Sequence, residues 1–318
     1  MHKSGNSAIF AVMSDNKNLG SRLLLGMLNG LSRLSMDTLY GISDYVLYPL
    51  VHRFYRRKVV RQNLLKAFPE KSEAERLEIE RKFYHWFCDL AVETIRVHSM
   101  PAEEMQRRMI WKNPELVEQS ILDGHDFALC YLSHYCNWEM CVALPFSLKH
   151  SGMCQIYHRL RNAAFDVWFA GNRSRFGAEN IPMKETLRRL LQLRKGIQEH
   201  QYKTPAGEDV RGFFFGCIAD QLPKQENIHL RVPFLNQDTA VFSGSEKLGR
   251  RFGMSFFYSH FTMPRRGYYE AEFEPMEISE EELARDEFAY TREYMRRLER
   301  DMRERPELWL WTHNRWKR

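Results

Sequence analysis

Residues Phe127-Ala-Leu-Cys-Tyr-Leu132 form an unbroken apolar run between Gly124 and Ser133. A strand that shows neither face to water reads this way, and the turn residues on each side make the run too short for a helix. Comparable runs return at 153–157, 213–219 and 254–261. Helical patterns occupy 138–148, 162–175 and 184–199 between them. Short buried strands alternating with helices predict an α/β fold. A further helix is expected over 73–98, with Ser72 as its cap and Glu73 and Glu75 in its first turn. A last amphipathic helix is expected over 279–304, rich in Glu and Arg. Residues 201–211, with Pro205 and Gly207, read as a polar surface loop.

The N-terminal 65 residues differ in character. Residues 1–18 are polar and lack the basic and long apolar regions of a signal peptide. Leu23 to Val51 is apolar but interrupted by Arg33, Asp37 and Asp44. A spanning helix needs roughly 20 nearly uncharged residues, so an amphipathic helix lying in a membrane interface is expected here. Arg53, Phe54, Tyr55, Arg56, Arg57, Lys58 and Arg61 follow directly. Such a basic aromatic cluster suits anionic headgroups; a core-packed helix with a solvated basic end is the plainer alternative. The expected organisation is a polar tail over 1–18, a membrane-associated segment over 19–65 and a catalytic domain over 66–318.

Composition narrows the function class. The chain of 318 residues carries a net charge of +6 and 44% hydrophobic residues, values of an ordinary globular protein with a preference for acidic partners. Its mean hydropathy of −0.53 excludes a polytopic membrane protein. The six cysteines form no Cys-x-x-Cys pair, so reduced thiols are expected, with no zinc ribbon. No metal and no cofactor is expected. A nucleic-acid-binding protein is a rival on charge alone, but no single recognition helix collects the positive residues.

The chemistry-bearing stretch is Leu132-Ser-His-Tyr-Cys-Asn-Trp-Glu-Met140. His134 falls just past a buried strand, where ligands bind in open α/β sheets. Asn137 is placed to cap the next helix, with Glu139 in its first turn. A turn between them would let the Glu139 carboxylate hydrogen-bond the imidazole and raise the basicity of its other nitrogen. No Gly-x-Ser-x-Gly elbow accompanies this pair, so the substrate would supply the nucleophilic hydroxyl. His98 and Glu103 repeat the spacing without a preceding strand.

This His-x4-Glu stretch resembles the signature of the lysophospholipid acyltransferase superfamily. More narrowly, the chain is similar to the late acyltransferases of lipid A biosynthesis in Gram-negative bacteria. The likeness is carried in order by Arg56-Arg-Lys-Val-Val-Arg-Gln-Asn-Leu64 with Phe68-Pro-Glu70, by Ser133-His-Tyr-Cys-Asn-Trp-Glu139, and by Tyr157-His-Arg-Leu-Arg-Asn162. It continues through Ile218-Ala-Asp-Gln221 with Pro223, Phe242-Ser-Gly-Ser-Glu246 and Trp309-Leu-Trp-Thr-His-Asn-Arg-Trp-Lys317. Two departures are the polar loop at 201–211, which reads as an insertion, and residues 1–18. The resemblance implies a central mixed sheet flanked by helices, an acyl thioester donor, commonly acyl carrier protein, and a lipid A precursor as acceptor. It also implies a place on the cytoplasmic face of the inner membrane. His134 and Glu139 are the expected catalytic pair. Arg159, Arg161, Asn162, Asp220, Gln221 and Gly244 are candidate substrate-binding residues. Arg159 reads equally as a surface ion pair, and Asp220 as a loop cap. The closing tryptophans read either as interface anchors or as core. A glycerolipid acceptor is the nearest alternative, and a non-catalytic membrane scaffold a further one.

Overall fold

The computed structural model describes residues 19–160 and 162–317; the tail over 1–18 lies outside the described residues. The chain opens with α1 (Leu19–Ser32) and α2 (Met36–Ile42). The hydroxyl of Ser35 accepts the amide of Thr38 and starts α2. One π-helical turn, Ser43–Leu47, leads without a break into α3 (Tyr48–Phe54). The single interfacial helix expected over 23–51 is therefore interrupted at residues 33–35. No described helix is long and apolar enough to cross a membrane.

After a left-handed turn at Arg56 (φ 51°) come α4 (Arg57–Ala67) and the long α5 (Glu73–Val97). Ser72 and Glu75 close a reciprocal capping box at the start of α5, as their spacing predicts. Short elements missed by the sequence follow: α6 (Ala102–Arg108), β1 (Met109–Trp111) and α7 (Glu115–Leu122). The remaining order is β2 (Phe127–Leu132), a 3₁₀ segment (Trp138–Phe146), β3 (Ser151–Tyr157), α8 (Ala163–Ser174), β4 (Glu179–Pro182), α9 (Thr186–Gln198) and β5 (Gly212–Ile218). Then come β6 (Leu230–Phe234), β7 (Gln237–Val241), α10 (Gly244–Phe252), β8 (Ser255–Arg265), β9 (Tyr268–Pro275), α11 (Glu280–Arg285) and α12 (Ala289–Glu304). The helix expected over 279–304 is thus split at residues 286–288.

Seven strands form one mixed sheet in the order β1-β9-β8-β2-β5-β3-β4. The pairs from β8 through β4 are parallel, and β9 runs antiparallel to β8. β2 lies mid-sheet with every residue buried, which is why it reads as an uninterrupted apolar run. β6 and β7 make a separate hairpin, in which the alternating burial of β6 and the polar start of β7 left no comparable run to notice. A single apolar core joins the sheet, α5, α12 and the C-terminal segment.

Buried carboxylates join the N-terminal helices to this body. Glu80 of α5, 1% exposed, receives Arg57 and Arg61 at 2.5 and 2.7 Å. Two members of the basic cluster are therefore spent on the fold. Glu93, also on α5 and 0% exposed, accepts Tyr40 Oη at 2.7 Å, Tyr269 Oη at 2.6 Å and Asn137 Nδ2 at 2.6 Å. Burial pushes its carboxyl up to about 7, against the pull of the tyrosine donors. A carboxyl whose value rises on folding contributes stability that is complete below its ordinary 4.5 and is lost as pH climbs through 7. Between about pH 5 and 8 the wild type should therefore lose stability relative to Glu93→Gln by about 3 kcal/mol. Denaturant unfolding of both proteins across that range tests this, and a difference that stays flat with pH would refute it.

Candidate functional site

β2 and β5 are in register, with Leu132 opposite Ile218. His134 follows the first strand by two residues and Asp220 follows the second by two. The chains leave the sheet side by side, held by the amide of Ala219 on the carbonyl of Leu132. Two residues beyond each strand, the side chains meet: His134 Nδ1 lies 2.8 Å from Asp220 Oδ1. The other carboxylate oxygen accepts the His134 amide at 3.1 Å and Trp309 Nε1 at 2.8 Å.

Burial drives the Asp220 carboxyl upward, but the imidazole beside it and these hydrogen bonds outweigh burial and hold it below its usual range. Asp220 is therefore an ionised acceptor at neutral pH. An ionised carboxylate only accepts, so His134 Nδ1 carries a proton, and in the neutral ring the lone pair is then on Nε2. The ring is 19% exposed while Asp220 is 1% exposed, so the nitrogen that can act as a base belongs to the group that solutes can reach. Trp138 packs edge-on to the imidazole at 4.8 Å. Gln221 Nε2 stands 3.2 Å from His134 Nε2.

Glu139 has a different partner from the one expected. Its carboxylate takes Arg173 Nη2 at 2.7 Å and Arg173 Nε at 3.2 Å, with Trp138 Nε1 at 3.1 Å. The carboxylate that accepts from His134 and orients it is Asp220 instead. The physical reason is the sheet: strand register delivers Asp220 to the ring, whereas Glu139 enters a 3₁₀ segment that turns towards α8. Arg173, 39 positions beyond His134, has no sequence signal of its own. The residue before that segment also departs from expectation. Asn137 stands at the cap position but makes no side-chain cap, giving its amide to Glu93 instead.

The other candidates spread along the same sheet edge or away from it. Arg159 follows β3, the neighbour of β5, and its guanidinium pairs with Glu185 at 3.0 Å while 64% exposed. Arg161 lies outside the described residues. Asn162 is exposed and caps α8, accepting the amides of Ala164 and Phe165. Gly244 opens α10, whose Ser245 reaches Tyr131 Oη at 3.4 Å. The nearby Glu246 is fully buried and accepts the Tyr290 and Thr291 amides at the start of α12.

The closing aromatics are core residues: Trp309, Trp311 and Trp316 are 1%, 0% and 8% exposed. Of the two readings the sequence left open for them, the core role is the one the fold adopts. The segment around Trp309 pairs with the turn that carries His134, Cys136 N to Leu308 O at 2.7 Å and Leu310 N to His134 O at 3.0 Å. Asn63 of α4 grips that segment through the carbonyls of Trp311 and His313, at 2.9 and 2.8 Å, and Arg56 through that of Thr312 at 2.9 Å. The N-terminal basic block thus holds the C-terminal block, which presents Trp309 to Asp220.

The family model for bacterial lipid A biosynthesis acyltransferases matches residues 23–200 and 211–318. The interruption falls on the polar loop expected as an insertion. No curated protein matches the chain.

Trp309→Phe keeps most of the ring but deletes the donor to Asp220. Leaving that buried carboxylate short of one hydrogen bond should lower unfolding free energy by about 1–3 kcal/mol. Denaturant titration measures it, and a loss under about 0.5 kcal/mol would show that the indole N–H is dispensable.

Proposed function

The chain belongs to the bacterial lipid A biosynthesis acyltransferase family, and on that premise we propose that it is a late-acting member that moves a fatty acyl chain from an acyl thioester to a hydroxyl of a lipid A precursor, with His134 as general base. The observation that carries this reading is the His134 Nδ1–Asp220 contact of 2.8 Å at the carboxyl edge of the sheet. The bond sets the tautomer, holds the ring and leaves Nε2 as the base. No protein nucleophile is required. The acceptor hydroxyl displaces the Gln221 carboxamide from Nε2 and gives up its proton as its oxygen attacks the thioester carbonyl. The new C–O bond forms and the C–S bond breaks. The imidazolium, stabilised by Asp220, returns the proton to the leaving thiolate. Glu139 acts by anchoring Arg173, which fixes the far end of the catalytic turn. Arg159, at the same edge, is suited to a phosphate or oxyanion once it leaves Glu185.

The donor is proposed to be acyl carrier protein, an acidic partner that a chain of net charge +6 favours. The enzyme is proposed to work on the cytoplasmic face of the inner membrane, lying on the bilayer through its N-terminal helices. What supports this is a set of exposed apolar side chains leading into the basic cluster: Leu23, Met27, Tyr45, Val46 and Leu50 before it and Phe54 within it, with Tyr45 84% and Phe54 74% exposed.

Purified in detergent, the wild type should transfer acyl chains from loaded carrier protein to a tetra-acylated lipid A precursor. His134→Ala should lower kcat by about a hundred- to ten-thousand-fold. Asp220→Asn should fall in the same direction, because a neutral amide cannot stabilise the imidazolium. Near-normal turnover by a folded His134→Ala protein would refute the base assignment. Transfer to other lipid acceptors alone would refute the acceptor.

The membrane reading has its own test. Serine at both Tyr45 and Phe54 should reduce cosedimentation with vesicles containing anionic lipid by roughly tenfold or more, without loss of fold. Unchanged cosedimentation would remove these helices from the membrane contact.

A further inference from the structure

The turn that carries His134 is held from two sides. The C-terminal segment pairs with residues 134–136 on one side. On the other, Asn137, 0% exposed, gives its Nδ2 to the Glu93 carboxylate at 2.6 Å. Between these anchors Cys136 adopts φ 57°, a left-handed conformation that a residue with a side chain rarely takes unless its surroundings dictate it.

Asn137 is used against its local preference. It stands where an asparagine ordinarily caps the following helix, yet its side chain makes no cap there. Its Oδ1 is buried with no hydrogen-bond partner. The helical segment forgoes its cap so that the amide can reach Glu93. The two residues after Asn137 then take up their stations: Trp138 against the His134 ring at 4.8 Å and Glu139 on Arg173 at 2.7 Å.

Glu93 in turn gathers three parts of the chain. Tyr40 Oη from α2, Tyr269 Oη from β9 and Asn137 from the catalytic turn converge on its two oxygens. Neighbouring links fasten the same stretch of α2 and the π-helical turn: Ser43 Oγ to Asp89 at 2.6 Å, and Arg266 to Asp44 at 2.7 Å.

Resting on the acyl-transfer reading above, we propose that Glu93 and Asn137 are positioning residues for the reaction: the carboxylate fixes the His134–Glu139 turn through Asn137, and Tyr40 ties that fixation to the N-terminal helices. Neither residue touches the reacting atoms. Loosening the link leaves His134 bonded to Asp220 but lets the Trp138 wall and the Glu139–Arg173 end of the turn drift. Drift of about 1 Å at a catalytic turn costs up to a hundredfold in rate.

The test compares wild type, His134→Ala, Asn137→Leu, Glu93→Gln and the Asn137→Leu/Glu93→Gln double variant, with kcat and acceptor KM corrected for the folded fraction. Asn137→Leu keeps the branching of the side chain and removes the amide. Each single positioning variant should lose tenfold or more in kcat, with KM within roughly twofold. The double variant should fall no further than the worse single, because both act through one link. If Glu93→Gln does not fold, Tyr269→Phe, which removes a donor from the same carboxylate, takes its place in the cycle. A folded Asn137→Leu enzyme with kcat within roughly twofold of wild type overturns the proposal. So do single effects that multiply in the double variant, and so does a rise in KM alone. A wild type without transfer, or a His134→Ala variant that retains it, instead overturns the acyl-transfer reading, so the two failures are distinguishable.

Discussion

A carboxylate sealed under an imidazole organises this molecule. Burying an ionised Asp220 is costly unless donors replace the water it gives up. Here they are His134 Nδ1, the His134 amide and Trp309 Nε1. Each depends on a distant part of the chain. The first two require β2 and β5 to pair with Leu132 opposite Ile218. The third requires the last dozen residues to fold back along the catalytic turn, and that fold-back is secured by Arg56 and Asn63 from near the start. Chain ends some 250 residues apart in sequence are thereby linked to one tautomer of one histidine.

The same device recurs away from the imidazole. Glu93 joins α2, β9 and the catalytic turn. Glu246 takes the first amides of α12, a helix whose own cap position is Phe288 and makes no side-chain cap. Asp301 of α12 accepts Tyr258 Oη at 2.6 Å and His260 Nδ1 at 2.9 Å from β8. Buried carboxylates with several donors are junctions where separate elements are locked to one another. Their geometry is demanding, because a half-satisfied buried charge is worse than an apolar core. Such junctions hold the site in one geometry, as the proposed general-base role of His134 requires.

The legible parts of the chain were those whose signal is local. β2 announces itself because a strand buried on both faces must be apolar throughout, and the Ser72–Glu75 box because its reciprocal bonds span three residues. β6, β7, β9 and the short β1 were not legible: half-buried or brief strands leave patterns that charged and polar residues dilute. The long helix read over 279–304 failed at residues 286–288 for a related reason. Its amphipathic stripe runs on, but Asp286 Oδ1 accepts the amide of Phe288 and Glu246 starts a new helix beyond. The site divides in the same way. His134 and Asp220 were each visible as polar residues just past an apolar strand, whereas Arg173 carried no mark.

Alternating buried strands and helices, the places of His134 and Asp220 just past apolar runs, and the ordered blocks of the family were determined by the sequence alone, because each is a property of neighbouring residues and their spacing. Which carboxylate serves His134 was decided only by tertiary structure. Glu139 is five residues away along the chain and Asp220 is 86, yet parallel strand register brings the distant one to Nδ1 and the 3₁₀ segment carries the near one to Arg173. The closing tryptophans were settled in the same way, since amphipathic side chains suit a membrane interface and a core alike until the fold supplies a buried acceptor for each indole N–H: Asp220 for Trp309, the Pro306 carbonyl for Trp311 and the Thr239 hydroxyl for Trp316.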